Sequence, residues 1–210
     1  MPRGASIACV SWLLTSAAVA QPSDAETFPT LPVAITVALE GGEPVVDDAW
    51  LETQVRNANS IFEPAGVSFE VVERHTMDES HARLENRRDR HALGRLRHPQ
   101  RIDVYIVRSL RDVDDPSRMR QGVHWRPRGE EFGPRQHFVI VSSVAGETVL
   151  AHELGHYFRN GHSDVPGNIM SYDRGDGPPF FDEAQIQRIR FELRRYLRRG
   201  ELVPAARTDD

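Results

Sequence analysis

The stretch VLAHELGHYFRNGHSDVPGNIMSY, residues 149–172, constrains this chain more than any other. It holds His152, His156 and His162, three of the nine histidines, with Glu153 directly after the first. Residues 149–158 carry no proline and read as a helix, so His152 and His156 share one face, a turn apart. Two neutral imidazoles placed this way can hold one small cation, and Zn²⁺ suits them. Glu153 lies one step round the helix, beside such an ion without ligating it, where a general base for an activated water belongs. Leu150, Leu154 and Phe158 fall on the opposite face and are expected in the core. The helix must end before His162 if that side chain is to reach the same ion. Asn160-Gly161 is expected to supply the end, because both residue types tolerate the left-handed conformation of a C-cap. Three nitrogens leave a fourth position open for water, the pattern of a catalytic zinc site. The alternative is a helix that happens to be rich in structural histidines.

HELGHYFRNGH followed by NIMSY resembles the metzincin clan of zinc peptidases, whose signature is H-E-x-x-H-x-x-G-x-x-H with a downstream methionine turn. The resemblance implies that His152, His156 and His162 are zinc ligands and Glu153 is the general base. It also implies that Met170 lies beneath the metal as the structural methionine of the turn. The distance from His162 to Met170, and Ser163 directly after the third histidine, are most similar to the matrixin branch. Tyr172 stands two residues after Met170, an offset at which a tyrosine of the astacin branch reaches the zinc or the reaction's oxyanion. A phenol there could donate to developing negative charge; the alternative is a tyrosine packed in a turn. One position departs from the signature. The glycine three residues after the second histidine is Arg159 here, so Asn160-Gly161 is expected to make the turn one or two residues later.

The rest of the chain supplies a frame. Residues 31–40 (LPVAITVALE), 67–73, 102–107, 122–125 and 137–142 read as strands. A helix is expected to open at Asp47-Asp48, with Trp50, Leu51, Val55, Ala58, Ile61 and Phe62 near helical spacing, and to stop at Pro64 and Gly66. A surface helix is expected around His81 to Leu96. A last helix, Asp182 to Arg199, has one apolar face, acids at its start and arginines at its end. The expected fold is α+β and metzincin-like: a mixed, twisted sheet of about five strands, a backing helix, an active-site helix, and a lower subdomain ending in the C-terminal helix.

Residues 1–20 read as a signal peptide. Arg3 precedes the apolar stretch Ile7 to Ala20, and Ala18-Val19-Ala20 forms an A-x-A cleavage signal; the alternative is a buried helix. A secreted or periplasmic protein is expected. Residues 21–30 read as a short leader or pro-segment in which Asp24 could reach the zinc, 31–200 as the catalytic domain and 201–210 as a tail. Cys9 is the only cysteine and falls inside the signal, so any metal must be held by His, Asp, Glu or Tyr. A net charge of -5 provides no basic field for nucleic acid, and no later segment is apolar for long enough to insert in a membrane.

The expected partner is a protein or peptide substrate, bound by a monomer. Gly122 to Trp125 is a candidate edge strand to which an extended peptide could add, and His124 reads as a surface residue of that strand. Asp164 could orient a ligand imidazole but reads more simply as a solvated loop residue. Asp112, Asp114 and Asp115 lack a calcium-loop pattern and read as a solvated turn. Together these features predict a zinc-dependent metalloendopeptidase. Two alternatives stay open: another metal-dependent hydrolase, and a non-catalytic metal-binding protein with an altered loop at Arg159.

Overall fold

A computed structural model describes Met1 and residues 28–129, 131–132 and 136–205. The expected signal peptide, most of the leader including Asp24, and the end of the tail lie outside the described residues.

Strand β1 (Leu31–Glu40) is central, and its LPVAITVALE sequence is buried along most of its length. That near-continuous apolar run is what a parallel strand covered on both faces requires. β1 ends in a tight hairpin to β2 (Glu43–Pro44), with Gly41 and Gly42 at φ 63° and 88°. Only glycine adopts two successive positive φ values at little cost. β3 (Phe69–Met77) and β5 (Ile102–Val107) both run parallel to β1. β8 (Phe138–Ser142) is parallel to β5, and β7 (Gly122–Trp125) is antiparallel to β8. The order across the sheet is β3-β1-β5-β8-β7, with β7 at the end. Two-residue strands β4 (Arg83–Leu84) and β6 (Ser109–Leu110) pair separately.

Helix α1 (Asp48–Phe62) starts at Asp47, whose carboxylate accepts from the Trp50 N–H at 2.8 Å. Helix α3 (Val149–Tyr157) carries the histidines, and helix α4 (Glu183–Arg198) opens with a capping box between Asp182 and Gln185. One sheet face, through Val33, Ile35, Val104, Ile106, Val139 and Val141, packs with α1, α3 and α4 into the main core. On the other face Tyr105, Phe138 and Ile140 meet Leu84, Leu93 and Leu110 in a second cluster. The α+β fold with its five principal strands, backing helix, histidine helix and C-terminal helix is thus the one expected.

Two elements differ most from expectation. The second long strand runs four residues beyond Glu73, to Met77. Ladder pairing to β1 carries it there: Glu73 to Met77 are registered against Ala34 to Ala38 after a bulge at Val33/Ala34. The surface helix expected over 81–96 is only α2 (Arg87–Ala92), flanked by 3₁₀ turns at Glu79–His81 and Leu93–Leu96. The Asn86 side chain accepts from the N–H groups of Arg88 and Asp89 and starts the helix there. Arg83-Leu84 upstream is taken by β6 instead.

Candidate metal centre

The start of α3 is held by another helix. Thr148, at the N-cap, makes no side-chain cap bond. The buried Gln54 of α1 accepts from the Leu150 N–H at 3.2 Å and donates to the Gly146 carbonyl at 3.0 Å. Leu150, Leu154 and Phe158 are buried as expected, leaving His152 and His156 to face a cleft of about 760 Å³.

The end of α3 corrects one expectation. The left-handed residue is Arg159, at φ 65°, and Gly161 is not in that conformation. The Arg159 N–H donates to the His156 carbonyl at 2.9 Å and the Asn160 N–H to the Gly155 carbonyl at 3.0 Å, the two bonds of a Schellman ending. The turn therefore falls at the signature's glycine position although an arginine occupies it. A guanidinium nitrogen of Arg159 lies 3.9 Å from the buried Glu192 carboxylate on α4. The reversed chain brings His162 back to the helix.

The three imidazoles converge. One ring nitrogen from each of His152, His156 and His162 lies within 4.8 Å of the other two. His152 Nδ1 is 2.7 Å from the Ile169 carbonyl and His156 Nδ1 is 2.8 Å from the Asn160 carbonyl. A carbonyl only accepts, so both Nδ1 atoms carry the proton and both Nε2 atoms present a lone pair. His156 Nε2 and His162 Nε2 are 3.2 Å apart. Burial pushes His152 down to about 4 and also lowers His156, so both are neutral near pH 7. Main-chain carbonyls thus do the orienting considered for Asp164, which is exposed.

Glu153 is buried behind the edge strand. Burial raises its carboxyl to about 8, and the His124 main-chain N–H, which donates to it, opposes that shift. A Cβ at Gly122 would come within 2.8 Å of the Glu153 side chain, so the missing side chain at 122 lets the carboxylate sit against β7. His124 is not a plain surface residue. Its Nε2 is 2.8 Å from His137 Nδ1, and burial, then the His137 charge, holds its pKa well below the ordinary value.

Met170 is fully buried beneath α3, and its N–H donates to Asn168 Oδ1 at 2.9 Å. Asn168 in turn donates to Gln185 Oε1 at 2.8 Å, tying the turn to the capping box of α4. Tyr172 is largely exposed, with its hydroxyl 3.0 Å from His162 Nε2. Asp112 is buried rather than solvated. It accepts from the N–H groups of Asp114 and Asp115, which holds its carboxyl down at about 2, and it pairs with Arg120 at 2.6 Å. Arg120 and Tyr172 both line the cleft. Sequence reasoning passed over Gln54, whose partners lie more than 90 positions along the chain, and Asn168 and Arg120, whose roles depend on contacts between elements.

No family model matches the sequence, and no curated protein matches it. Several solved structures share the fold. Metalloproteinase-II from Bacteroides fragilis superposes with a TM-score of 0.54 at 15% identity, over 81% of this chain and 55% of that one. Mature mirolysin from Tannerella forsythia, in complex with a cleaved peptide, gives 0.56 at 14% identity, over 85% of this chain and 100% of that one. Archaemetzincin from Methanopyrus kandleri gives 0.52 at 14%, over 82% and 98%. The chain therefore has a metzincin-like metallopeptidase fold, with its histidine helix set behind the edge strand of a mixed sheet.

Proposed function

We propose that this chain is an exported zinc-dependent endopeptidase, with His152, His156 and His162 as zinc ligands and Glu153 as general base. The observation that carries the reading is the convergence of three imidazole nitrogens beside a buried carboxylate in an open cleft. The donor set fits zinc: two Nε2 lone pairs are fixed by carbonyl-bound Nδ1–H groups, and the rings are neutral. A zinc ion there would acidify a water and polarise the scissile carbonyl.

The chain's own groups do the rest. Glu153 accepts a proton at its carboxylate from the attacking water and delivers one to the leaving amine. Burial outweighs the nearby arginines and keeps the carboxyl raised; the positive charge of a zinc ion held by the three histidines would favour its ionised form. Tyr172, with its hydroxyl beside His162, donates a hydrogen bond to the developing oxyanion. Met170 closes the floor under α3. β7 has one edge bonded to β8, so an extended peptide would add along the other. Arg126, Arg159 and Arg174 line the cleft and are exposed, which favours acidic side chains on that peptide. The matrixin-like spacing of the motif and the export signal in residues 1–20 belong to the same reading.

The test is cleavage of unfolded casein by the purified, zinc-loaded protein beside Glu153→Ala. Cleavage by the wild type alone, abolished by a chelator, is expected. Zinc binding at the three histidines without cleavage of any peptide would replace the reading with a non-peptidase role.

A further inference from the structure

A second group of ligand-type side chains lies at the β3 edge, outside the histidine cleft. Parallel pairing places Glu73 and Asp103 on either side of Ala34, and His75 and Tyr105 on either side of Thr36. Laterally paired residues point to the same sheet face, and so do residues two apart along a strand. Ala34 and Thr36 are small, so the face is hollow between the longer side chains of β3 and β5. His98, from the segment leading into β5, reaches into this hollow. Its ring stacks on that of His75, with centroids 4.4 Å apart and planes at 6°.

Two features give the group the chemistry of a metal site. His98 Nδ1 is 2.8 Å from the buried Asp103 carboxylate, which also accepts the His98 main-chain N–H at 3.0 Å. The carboxylate fixes the proton on Nδ1 and leaves Nε2 as a lone pair, the arrangement that commonly stands behind a metal-bound histidine. Glu73 is similarly held. Arg101 takes its Oε1 at 2.8 Å, while Oε2 faces His75 Nε2 at 3.1 Å. One ligand atom from each of Glu73, His75 and His98 lies within 4.8 Å of the other two. A pocket of about 390 Å³ adjoins them, lined by His75, His98 and the buried Thr36, whose hydroxyl has no partner. An orphaned buried hydroxyl beside such a group is suited to a water in a remaining coordination position.

We propose that Glu73, His75 and His98 form a second zinc site, with Asp103 orienting His98, which ties the β3 edge to the segment entering β5. Two imidazoles and a carboxylate are a known zinc donor set, and neutral imidazole favours Zn²⁺ over Mg²⁺ or Ca²⁺. The ion takes the place of the hydrogen bond between His75 Nε2 and Glu73 Oε2. His75 is exposed on the strand, so its ring is free to turn out of the stack and aim its lone pair at the ion. Glu73 keeps its bond to Arg101 through the other oxygen.

Zinc content after dialysis against buffered free Zn²⁺ tests this site without reference to activity. Wild type is expected to hold two zinc ions per chain. His75→Ala and His98→Ala should each hold one and keep any peptidase activity. His156→Ala should lose the cleft ion and keep the one at the sheet edge, which separates failure of this site from failure of the cleft site. Asp103→Asn, if it folds, should bind the second ion about 10–100-fold more weakly. One zinc per wild-type chain at saturation that is lost in His156→Ala would overturn the proposal. So would two ions that survive both His75→Ala and His98→Ala.

Discussion

Met170 occupies the space that a side chain at Gly155 would need: a Cβ built there would lie 2.3 Å from the Met170 sulfur. The helix and the methionine turn are therefore packed backbone to side chain, directly under the histidines. Gly155→Ala should destabilise the protein by about 1–3 kcal/mol through overpacking, although alanine is the better helix former by up to about 1 kcal/mol. Adding Met170→Ala should recover part of that loss, giving a coupling that urea unfolding of the single and double variants would measure. Simple additivity would mean that the two residues do not share this space.

Arg159→Gly should stabilise the protein by about 1 kcal/mol, because it relieves a left-handed arginine. The ion pair it forfeits, to Glu192 at 3.9 Å from a half-exposed guanidinium, contributes less than about 1 kcal/mol. Casein cleavage should survive. A loss of stability in urea unfolding would show that the contact with α4, not the backbone, governs this turn.

Tyr172→Phe should lower kcat by about 100-fold or more, with KM and zinc content little changed, as expected for a donor that acts mainly in the transition state. Unchanged kcat would leave Tyr172 as an exposed ring beside His162 and nothing further.

His137 links pH to stability. Burial, then the charges of Arg126, Arg159 and Arg195, pushes its imidazole from 6.5 down to about 3. Between those values the unfolded chain binds a proton that the native ring refuses. Its stabilising contribution is thus full above pH 6.5 and is lost as pH falls toward 3, at up to about 1.4 kcal/mol per pH unit. His137→Phe, which can retain the stack on Tyr157, should show a shallower decline of stability over that window. Urea unfolding at several pH values would reveal it, and parallel curves would count against the assignment.

The arginines of the cleft bear on substrate choice. A peptide with glutamates flanking the scissile bond should be cleaved about tenfold faster in kcat/KM than its lysine counterpart. Added salt should shrink the difference, since exposed charges are screened. The charge reversal Arg126→Glu with Arg174→Glu should diminish or invert it. Equal rates at low salt would remove the electrostatic account.

The candidate site was largely legible because its signals are local. His152 and His156 owe their shared face to helical periodicity, and the motif that contains Glu153, His162 and Met170 is contiguous within residues 149–172. The apolar, β-branched runs of β1, β5 and β8 and the Asp182 start of α4 were equally local. The extension of β3 to Met77 was not, because Glu73 to Thr76 are polar and their strand state comes from ladder bonds to β1. Nor was the position of the α3 ending. Asn160-Gly161 has the better intrinsic propensity for a left-handed turn, yet the register in which His162 must return to the helix places the turn at Arg159.

The sequence by itself determined which residues could hold a metal and on what kind of element they stand, since periodicity and spacing act within a few residues. Tertiary structure alone decided how those residues are tuned. Gln54 secures α3 from 96 positions away, Ile169 and Asn160 orient the imidazoles, and β7 walls in Glu153. It also decided that Glu73, His75 and Asp103 share one sheet face, with His98 reaching over it. Burial and hydrogen-bond direction arise from contacts between elements distant along the chain, and no local pattern encodes them.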